Sequence, residues 1–265
     1  EMSSDGVRQI LLGLFKKIVI ADNCAIHVED IFDNFSEYSG VRLLLGAIFF
    51  AFQIYCDFSG YSDIAIGTAK LLGFSLMQNF SFPYFSRNIG EFWTRWHISL
   101  STWFRDYLFI PLGGSKSGKW LSLRNIFIVF LVSGFWHGPN WTFIAWGFVH
   151  SIFYAIYSMK SEKNIYKNKM LCAEGLIPSI KEIFQMGITF TIVTISWIIF
   201  RADKMSTAVD YLGQLYFEIF SINAHLMEVM YSELYYYQTT ILFILLFVMV
   251  EWLQRNEKHA LEISR

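Results

Sequence analysis

The sequence predicts an all-α polytopic membrane protein, a bundle of transmembrane and re-entrant helices. Of its 265 residues 54% are hydrophobic and only 16% are charged, against roughly 45–50% and about 25% in soluble domains. Aromatic residues reach 19%, which suits Phe-rich faces in hydrocarbon and Trp or Tyr at the interfaces. The alternative is a large soluble helical protein with an unusually large core. We expect residues 1–265 to form a single membrane domain.

The first third of the chain predicts one crossing between two less hydrophobic helices, because a crossing needs about 20 apolar residues. Residues 7–21 are short and carry Lys16 and Lys17, so they predict an amphipathic or interfacial helix. Residues 41–58 predict a transmembrane helix, and residues 62–74 predict a short helix packed against protein. Asp57 would then lie near the depth of the membrane's hydrocarbon.

The segment 80–112 is dense in aromatic residues, Arg and His. Arg87, Arg95 and Arg105 follow one another too closely for a helix that faces lipid. We expect this segment to face protein or a watery cavity.

The run 126–136 has 11 residues and covers only about 16 Å as a helix, roughly half of the hydrocarbon. The turn 137–140 after it contains Gly138 and Pro139, which membrane segments tolerate where the backbone is buried or lines a cavity. We therefore predict a turn inside the membrane, followed by a helix over 141–159. Residues 186–200 and 239–253 predict the last two crossings.

The distribution of basic residues predicts the topology, since cytoplasmic loops carry the excess of Lys and Arg. The loop 160–182 has five lysines and the tail after 253 has three basic residues, whereas the loop 201–238 has only Arg201 and Lys204. We expect the loop 160–182 and the tail on the cytoplasmic face and the loop 201–238 on the outer face.

Two Trp-His pairs carry the candidate chemistry, Trp96-His97 and Trp136-His137. A histidine in a membrane segment is costly unless it has a partner or a function. His137, beside a Gly-Pro break, is the stronger catalytic candidate, as a general base near neutral pH. His97 is a catalytic candidate or a structural hydrogen-bonding centre. His150 is expected to be an ordinary packing residue, although it could approach the same cavity.

Other polar residues are candidates for substrate binding, each with a structural alternative. Asn140 and Trp141 could hold a thioester carbonyl. Asp57 and Tyr61 belong to an inter-helix polar network or contact the substrate. Arg105 and Asp106 form an ion pair or help to bind a phosphate-bearing donor.

Several classes of function are excluded or lose support. The net charge of -1 and the absence of a basic stripe exclude nucleic acid as a partner. Three scattered cysteines give neither a disulfide framework nor a metal site. The sequence has no G-x-S-x-G elbow, P-loop or H-E-x-x-H motif, so serine hydrolysis, nucleotide hydrolysis and zinc proteolysis lose support.

Three blocks resemble the membrane-bound O-acyltransferase (MBOAT) family, most closely its alginate O-acetylation type and more distantly the teichoic acid D-alanyl transfer type. They read QIYCDFSGYSDIAIG, NFSFPYFSRNIGEFWTRWHISLSTWFRDYLFIPLGGS and GFWHGPNWTFIAWGFVHS, and they cover about residues 53–151. Weaker likeness extends to GLFKKIVIADN near the start and to SWIIFRA at 196–202. The stretch PLGGSKSGKW is similar to the acetyl-transferring type.

The resemblance implies that His137 is the family's invariant histidine and His97 its second one. It implies acetyl transfer from a cytoplasmic donor, acetyl-coenzyme A, to hydroxyls of an exported polysaccharide such as alginate. It also implies a multi-pass protein of the bacterial inner membrane and an extracytoplasmic acetyltransferase partner, and we expect no bound cofactor or metal. The alternatives are D-alanyl transfer to teichoic acid and a non-enzymatic conduit or scaffold. Because the chain starts at Glu1 and family members are longer, we expect a C-terminal part that lacks upstream helices.

Overall fold

The computed structural model describes residues 2–116, 118–160, 177–220 and 226–262, and within them it contains helices and turns but no strand. The long helices are α1 (Met2–Leu14), α2 (Asp22–Asp33), α3 (Gly40–Leu71), α6 (Lys119–His137), α7 (Trp141–Lys160), α8 (Ile180–Arg201), α9 (Met205–Phe220), α10 (Leu226–Tyr236) and α11 (Gln238–Leu253). The short helices α4 (Ile89–Arg95) and α5 (Ile98–Phe104) lie between α3 and α6. Wider π-helical turns occur at Phe15–Ala21 and Arg105–Phe109, and single 3₁₀ turns occur at Phe35–Glu37 and Pro83–Phe85.

Four of these helices are long and apolar enough to cross a membrane: α3, α6, α7 and α8. A fifth candidate is the pair Val229–Tyr236 and Gln238–Leu253, which is bent by 74° at a one-residue break. Their length and composition confirm the predicted all-α membrane fold class.

The chain divides into two compact units, Glu1–Met77 with Ser206–Arg265, and Gln78–Met205. In the first unit α1 and α2 pack against α3. A Cβ on Gly13 would lie 2.5 Å from the carbonyl oxygen of Gly60, so the two helices approach backbone to backbone at this point. The single domain that we predicted over 1–265 stays a prediction.

Helix α3 corrects the predicted division into a crossing at 41–58 and a separate helix at 62–74, because it runs unbroken over both. The two carboxylates in the stretch that suggested a break have partners on the neighbouring elements. Asp57 Oδ1 lies 2.6 Å from Lys17 Nζ, and Asp63 Oδ2 lies 2.9 Å from Lys16 Nζ. Polar side chains that are neutralised by tertiary partners do not interrupt a helix.

The amphipathic or interfacial helix that we predicted over 7–21 falls on α1 and the π-helical turn Phe15–Ala21, in which Lys16 is buried with only 5% of its surface exposed. Its Nζ contacts Asp63 and also lies 3.6 Å from Glu251 Oε1 on α11. Gln9 donates to the other Asp63 oxygen at 2.8 Å. Burial lowers the pKa of Lys16, but the two carboxylates outweigh it and raise the pKa above its ordinary value. Lys16 therefore stays charged inside the unit.

The second unit is built on an antiparallel hairpin of α6 and α7, against which α4 and α8 pack. Glycines allow the two helices of the hairpin to approach closely. A Cβ on Gly134 would collide with the carbonyl oxygen of Phe143, and one on Gly147 would collide with that of Phe130.

Helix α6 begins at Lys119, seven residues before the apolar run from which we predicted a half-length helix. Its 19 residues measure about 28 Å, close to the thickness of the hydrocarbon. The polar first turns belong to the helix because Asn125 donates to the carbonyl oxygens of Leu112 and Gly114 in the preceding loop. The predicted half-length helix is therefore wrong, and a turn at mid-membrane depth no longer follows from its length.

The remaining predictions have mixed outcomes. Helix α8 is longer than the predicted 186–200, and the predicted outer loop 201–238 contains α9 and α10. Residues 161–176 of the predicted cytoplasmic loop lie outside the described residues, as do Cys172 and His225. The predicted topology therefore stays a prediction.

Candidate active site

His137 is the last residue of α6, where the helix ends at Gly138. A Cβ on Gly138 would lie 2.7 Å from the ring of Phe143, so the turn passes close to the first turn of α7. Pro139 follows and, lacking an N–H, cannot continue the helix. The Gly-Pro break places the imidazole at the closed end of the hairpin.

Three aromatic rings surround the His137 imidazole almost perpendicularly. Their centroids lie 5.0 Å away for Trp136, 5.3 Å for Trp146 and 5.2 Å for Phe200, with interplanar angles of 77°, 88° and 82°. The half-buried His137 has no hydrogen-bond partner among the described residues. Its orientation is therefore fixed by ring packing, which leaves its nitrogens available for a substrate.

His97 reaches the same cluster through Trp136, whose ring centroid lies 6.5 Å from that of His97 at an interplanar angle of 77°. His97 is half-buried at the start of α5, and its Nδ1 lies 3.4 Å from Ser99 Oγ. Burial lowers the pKa of His97 below its ordinary value. The structure thus brings the two predicted histidines into contact with one indole.

His150 is fully buried in the same unit, and hydrogen bonds fix its tautomer. The Trp93 indole N–H donates to Nδ1 at 3.3 Å, so Nε2 carries the proton and donates to Ser196 Oγ at 2.8 Å. The rings of Phe92 and Phe130 lie nearly parallel to the imidazole. These surroundings agree with the expected packing role, although Trp146 links His150 to the ring cluster at 5.0 Å.

Asn140 and Trp141 differ in their surroundings. The Asn140 side chain accepts from the Thr142 N–H at 3.2 Å and donates to the carbonyl oxygen of Asp203 at 2.8 Å. One end of its amide thus binds the backbone at the start of α7, and the other binds the backbone of the loop between α8 and α9. Trp141 is 74% exposed. Their predicted contact with a thioester stays a prediction.

The arginines of 80–112 form ion pairs. Glu91 Oε1 lies 3.0 Å from Arg87 Nη2 and 2.7 Å from Arg95 Nη2, in largely buried surroundings. Arg105 Nε and Asp106 Oδ1 form an exposed pair at 2.7 Å on the π-helical turn Arg105–Phe109. This geometry fits the ion-pair alternative, and a role for Arg105 and Asp106 in substrate binding stays a prediction.

Asp57 and Tyr61 belong to the other unit. Asp57 pairs with Lys17, and Tyr61 is 69% exposed on α3. The predicted role of both residues in substrate binding stays untested by their geometry. Among the described residues no group of three or more His, Cys, Asp or Glu side chains has the arrangement of a metal site.

Two residues that hold His137 from other helices, Trp146 and Phe200, were not predicted. The spacing of Trp146 and His150 on α7 was a usable signal, because side chains four residues apart share a helix face. Phe200, at the end of α8, had no local signal.

Comparison with known proteins identifies the family. Residues 4–160 match the family model described as MBOAT, membrane-bound O-acyltransferase family. The chain belongs to the MBOAT family. The resemblance predicted from the blocks at 53–151 is thereby confirmed.

Relatives of this MBOAT chain carry names of three kinds. It is 42% identical to the "Probable alginate O-acetylase AlgI" of Pseudomonas syringae pv. tomato, over 82% of this chain and 39% of the relative. It is 39% identical to the "Peptidoglycan O-acetyltransferase" of Helicobacter pylori, over 76% of this chain and 36% of the relative. It is 33% identical to the "Teichoic acid D-alanyltransferase" of Streptococcus thermophilus, over 75% and 52%. The chain thus spans about two fifths of the acetyltransferase relatives' length.

Proposed function

We propose that this MBOAT chain is the catalytic part of an O-acetyltransferase in the bacterial inner membrane. The acetyl donor is cytoplasmic acetyl-coenzyme A, and the acceptors are hydroxyls of an exported polysaccharide such as alginate. An extracytoplasmic acetyltransferase acts as partner in completing the transfer. The family and the names of its acetyl-transferring relatives support this reaction class.

In this proposal His137 is the general base. Its imidazole takes the proton of the acceptor hydroxyl while the oxygen attacks the thioester carbonyl. The new C–O bond forms, the C–S bond breaks, and the leaving thiolate takes the proton back from the imidazolium. His97, whose ring also packs near Trp136, assists His137.

One observation carries the assignment: the His137 imidazole is held by three rings and has no hydrogen-bond partner among the described residues. A structural histidine in an apolar setting satisfies its nitrogens, as His150 does with Trp93 and Ser196. A general base needs a nitrogen within reach of the reacting proton. The contrast between two histidines of one unit supports His137 as the reacting one.

The other predicted residues enter the proposal as substrate contacts. Trp141 is exposed four residues after His137, and in this proposal it helps to hold the thioester carbonyl. Asn140, at the turn after His137, helps to hold the same carbonyl, and Arg105 with Asp106 lies on an exposed surface where the phosphate-bearing donor can bind. Asp57 and Tyr61 are proposed contacts on α3.

Three alternatives differ from this proposal in the transferred group, in the acceptor or in the absence of catalysis. D-alanyl transfer to teichoic acid is supported by a relative of lower identity than the two acetyltransferases. Peptidoglycan is an alternative acceptor for the same acetyl group, supported by the name of the Helicobacter relative. A conduit or scaffold without catalysis is the non-enzymatic alternative.

Replacing His137→Ala in the full-length protein, in cells that lack the wild-type gene, tests the proposal. We expect the rate at which acetyl esters form on the surface polysaccharide to fall by about 10²–10⁴-fold, which is the usual contribution of a general base. His27→Ala is the matched control, because His27 is half-buried and bonded to Thr240 in the other unit. Normal acetylation by membrane-inserted His137→Ala protein would contradict the proposal. Loss of D-alanyl esters instead would support the teichoic acid alternative.

A further inference from the structure

We propose that Asn79 is a positioning residue that holds His97 for the transfer reaction. This inference rests on the proposed function, in which His97 assists His137. It is carried by the backbone conformation of His97 and by two hydrogen bonds that Asn79 makes with the residues after it.

The backbone of His97 is strained. Its φ of 43° and ψ of 58° lie in the left-handed region, where the Cβ of an L-residue is crowded. Among the described residues Phe82, with φ of 49°, is the only other residue besides glycine with a positive φ. Glycine would adopt this conformation without strain. Strain of this kind persists where surrounding structure enforces it, and it concentrates at functional sites.

Asn79 helps to hold the backbone of His97 in this conformation. Its carbonyl oxygen accepts from the Ile98 N–H at 2.9 Å, and its side-chain Oδ1 accepts from the Ser99 N–H at 3.2 Å. On the other side of His97, the Ser81 N–H donates to the carbonyl oxygen of Arg95 at 3.0 Å. The segment 79–81 therefore holds the backbone both before and after His97.

The same contacts also set the surroundings of the imidazole. Ser99, whose N–H is bonded to Asn79 Oδ1, places its Oγ 3.4 Å from His97 Nδ1. Phe80, the neighbour of Asn79, is buried and packs its ring on Trp96 at 5.1 Å and 84°. Without Asn79 Oδ1, the Ser99 N–H loses its partner, and residues 97–99 can relax towards negative φ. The imidazole would then leave its place beside Trp136.

The test uses full-length protein purified in lipid nanodiscs, with three substitutions at this position. Asn79→Leu removes the acceptor at similar size, Asn79→Ala is the smaller substitute, and Asn79→Asp keeps an acceptor oxygen. Asn88→Leu is the matched control, because Asn88 Oδ1 accepts from the Glu91 N–H at 2.8 Å in the same unit but does not bond the His97 segment. Each variant is also combined with His97→Ala.

The first readout does not depend on activity. Diethyl pyrocarbonate modifies accessible histidines, and mass spectrometry gives the rate at His97. We expect a change of at least threefold in Asn79→Leu, and rates near wild type in Asn79→Asp and Asn88→Leu. An unchanged rate in both Asn79→Leu and Asn79→Ala would overturn the inference.

The second readout is the transfer of labelled acetyl from acetyl-coenzyme A. We expect kcat to fall at least tenfold in Asn79→Leu with KM little changed, and no further fall when His97→Ala is already present. Equal losses in both backgrounds would overturn the positioning role in favour of general destabilisation. A changed His97 modification rate with unchanged transfer would support the clamp by Asn79 and instead contradict the proposed role of His97.

Discussion

The His137 imidazole stands almost perpendicular to the indole of Trp146, with ring centroids 5.3 Å apart and an interplanar angle of 88°. Trp146 is itself fixed, since it is buried and stacks on Trp197 at 5.6 Å and 16°. The histidine therefore takes its orientation from a rigid aromatic layer between α7 and α8. Edge-to-face packing of this kind stabilises the fold by more than the burial of apolar area alone.

Trp146→Leu should lower acetyl transfer more than Trp146→Phe does. Leucine removes the ring that orients His137, and a misplaced catalytic group costs on the order of 10²-fold in rate, whereas phenylalanine keeps a ring edge. The measurement is the rate of labelled acetyl transfer at equal protein level. Trp120→Leu is the control because Trp120 is 82% exposed. A wild-type rate in Trp146→Leu would rule out orientation by this ring.

Lys16→Met should destabilise the protein by about 3–5 kcal/mol, because it leaves Asp63 and Glu251 as buried carboxylates without their cation. Lys17→Met is the control at the adjacent position. Its partners Asp22 and Asp57 are about half exposed, so we expect a loss below about 1 kcal/mol. Thermal unfolding in detergent measures both.

The double variant Lys16→Met with Asp63→Leu extends this test. Removing one carboxylate together with the lysine should recover part of the loss, since Glu251 keeps its hydrogen bond from Tyr55 at 2.7 Å. A double variant less stable than Lys16→Met alone would contradict the buried ion-pair explanation.

Gly134→Ala should destabilise the second unit by about 1–3 kcal/mol, because the added Cβ collides with the Phe143 carbonyl and forces α6 from α7. Gly187→Ala on α8 is the control, since its Cβ would meet nothing within 4 Å. At this position alanine should raise the free energy of unfolding by about 0.5–1 kcal/mol, because its helix propensity is better than that of glycine. The difference in Tm between the two variants is the measurement, and equal values would mean that the helices do not pack this closely.

The pH dependence of stability should carry a contribution from His97. Burial lowers the pKa of His97 in the folded state, whereas the unfolded chain titrates near about 6.5. The unfolded state thus binds the proton first as pH falls. The contribution of His97 to the free energy of unfolding is therefore fully present above about pH 6.5 and is lost as the pH falls below it. Unfolding free energies at pH 7.5 and 5.5 should differ more in wild type than in His97→Gln. A larger difference in the variant would reverse the sign and contradict the burial of His97.

The amino-acid sequence determined the fold class, the family and the two histidines of the candidate site. Apolar runs of sufficient length predict membrane helices, because crossing the bilayer depends on the composition and length of the segment itself and not on its tertiary contacts. The blocks containing Trp96-His97 and Trp136-His137 are contiguous, so the resemblance could be read from them directly. The ion pairs of Arg87 and Arg95 with Glu91 could also be predicted from local spacing, because each arginine lies four residues from Glu91.

Only the tertiary structure decided where helices begin and how the site is held. Helix α6 extends to Lys119 because Asn125 finds acceptors in the preceding loop, and Lys16 is buried because Glu251 meets it from the far end of the chain. His137 is oriented by Trp146 and Phe200, and His97 by Asn79. Each depends on a partner on another element of the chain, and a periodic pattern of hydrophobicity carries no information about which side chains of two elements will meet.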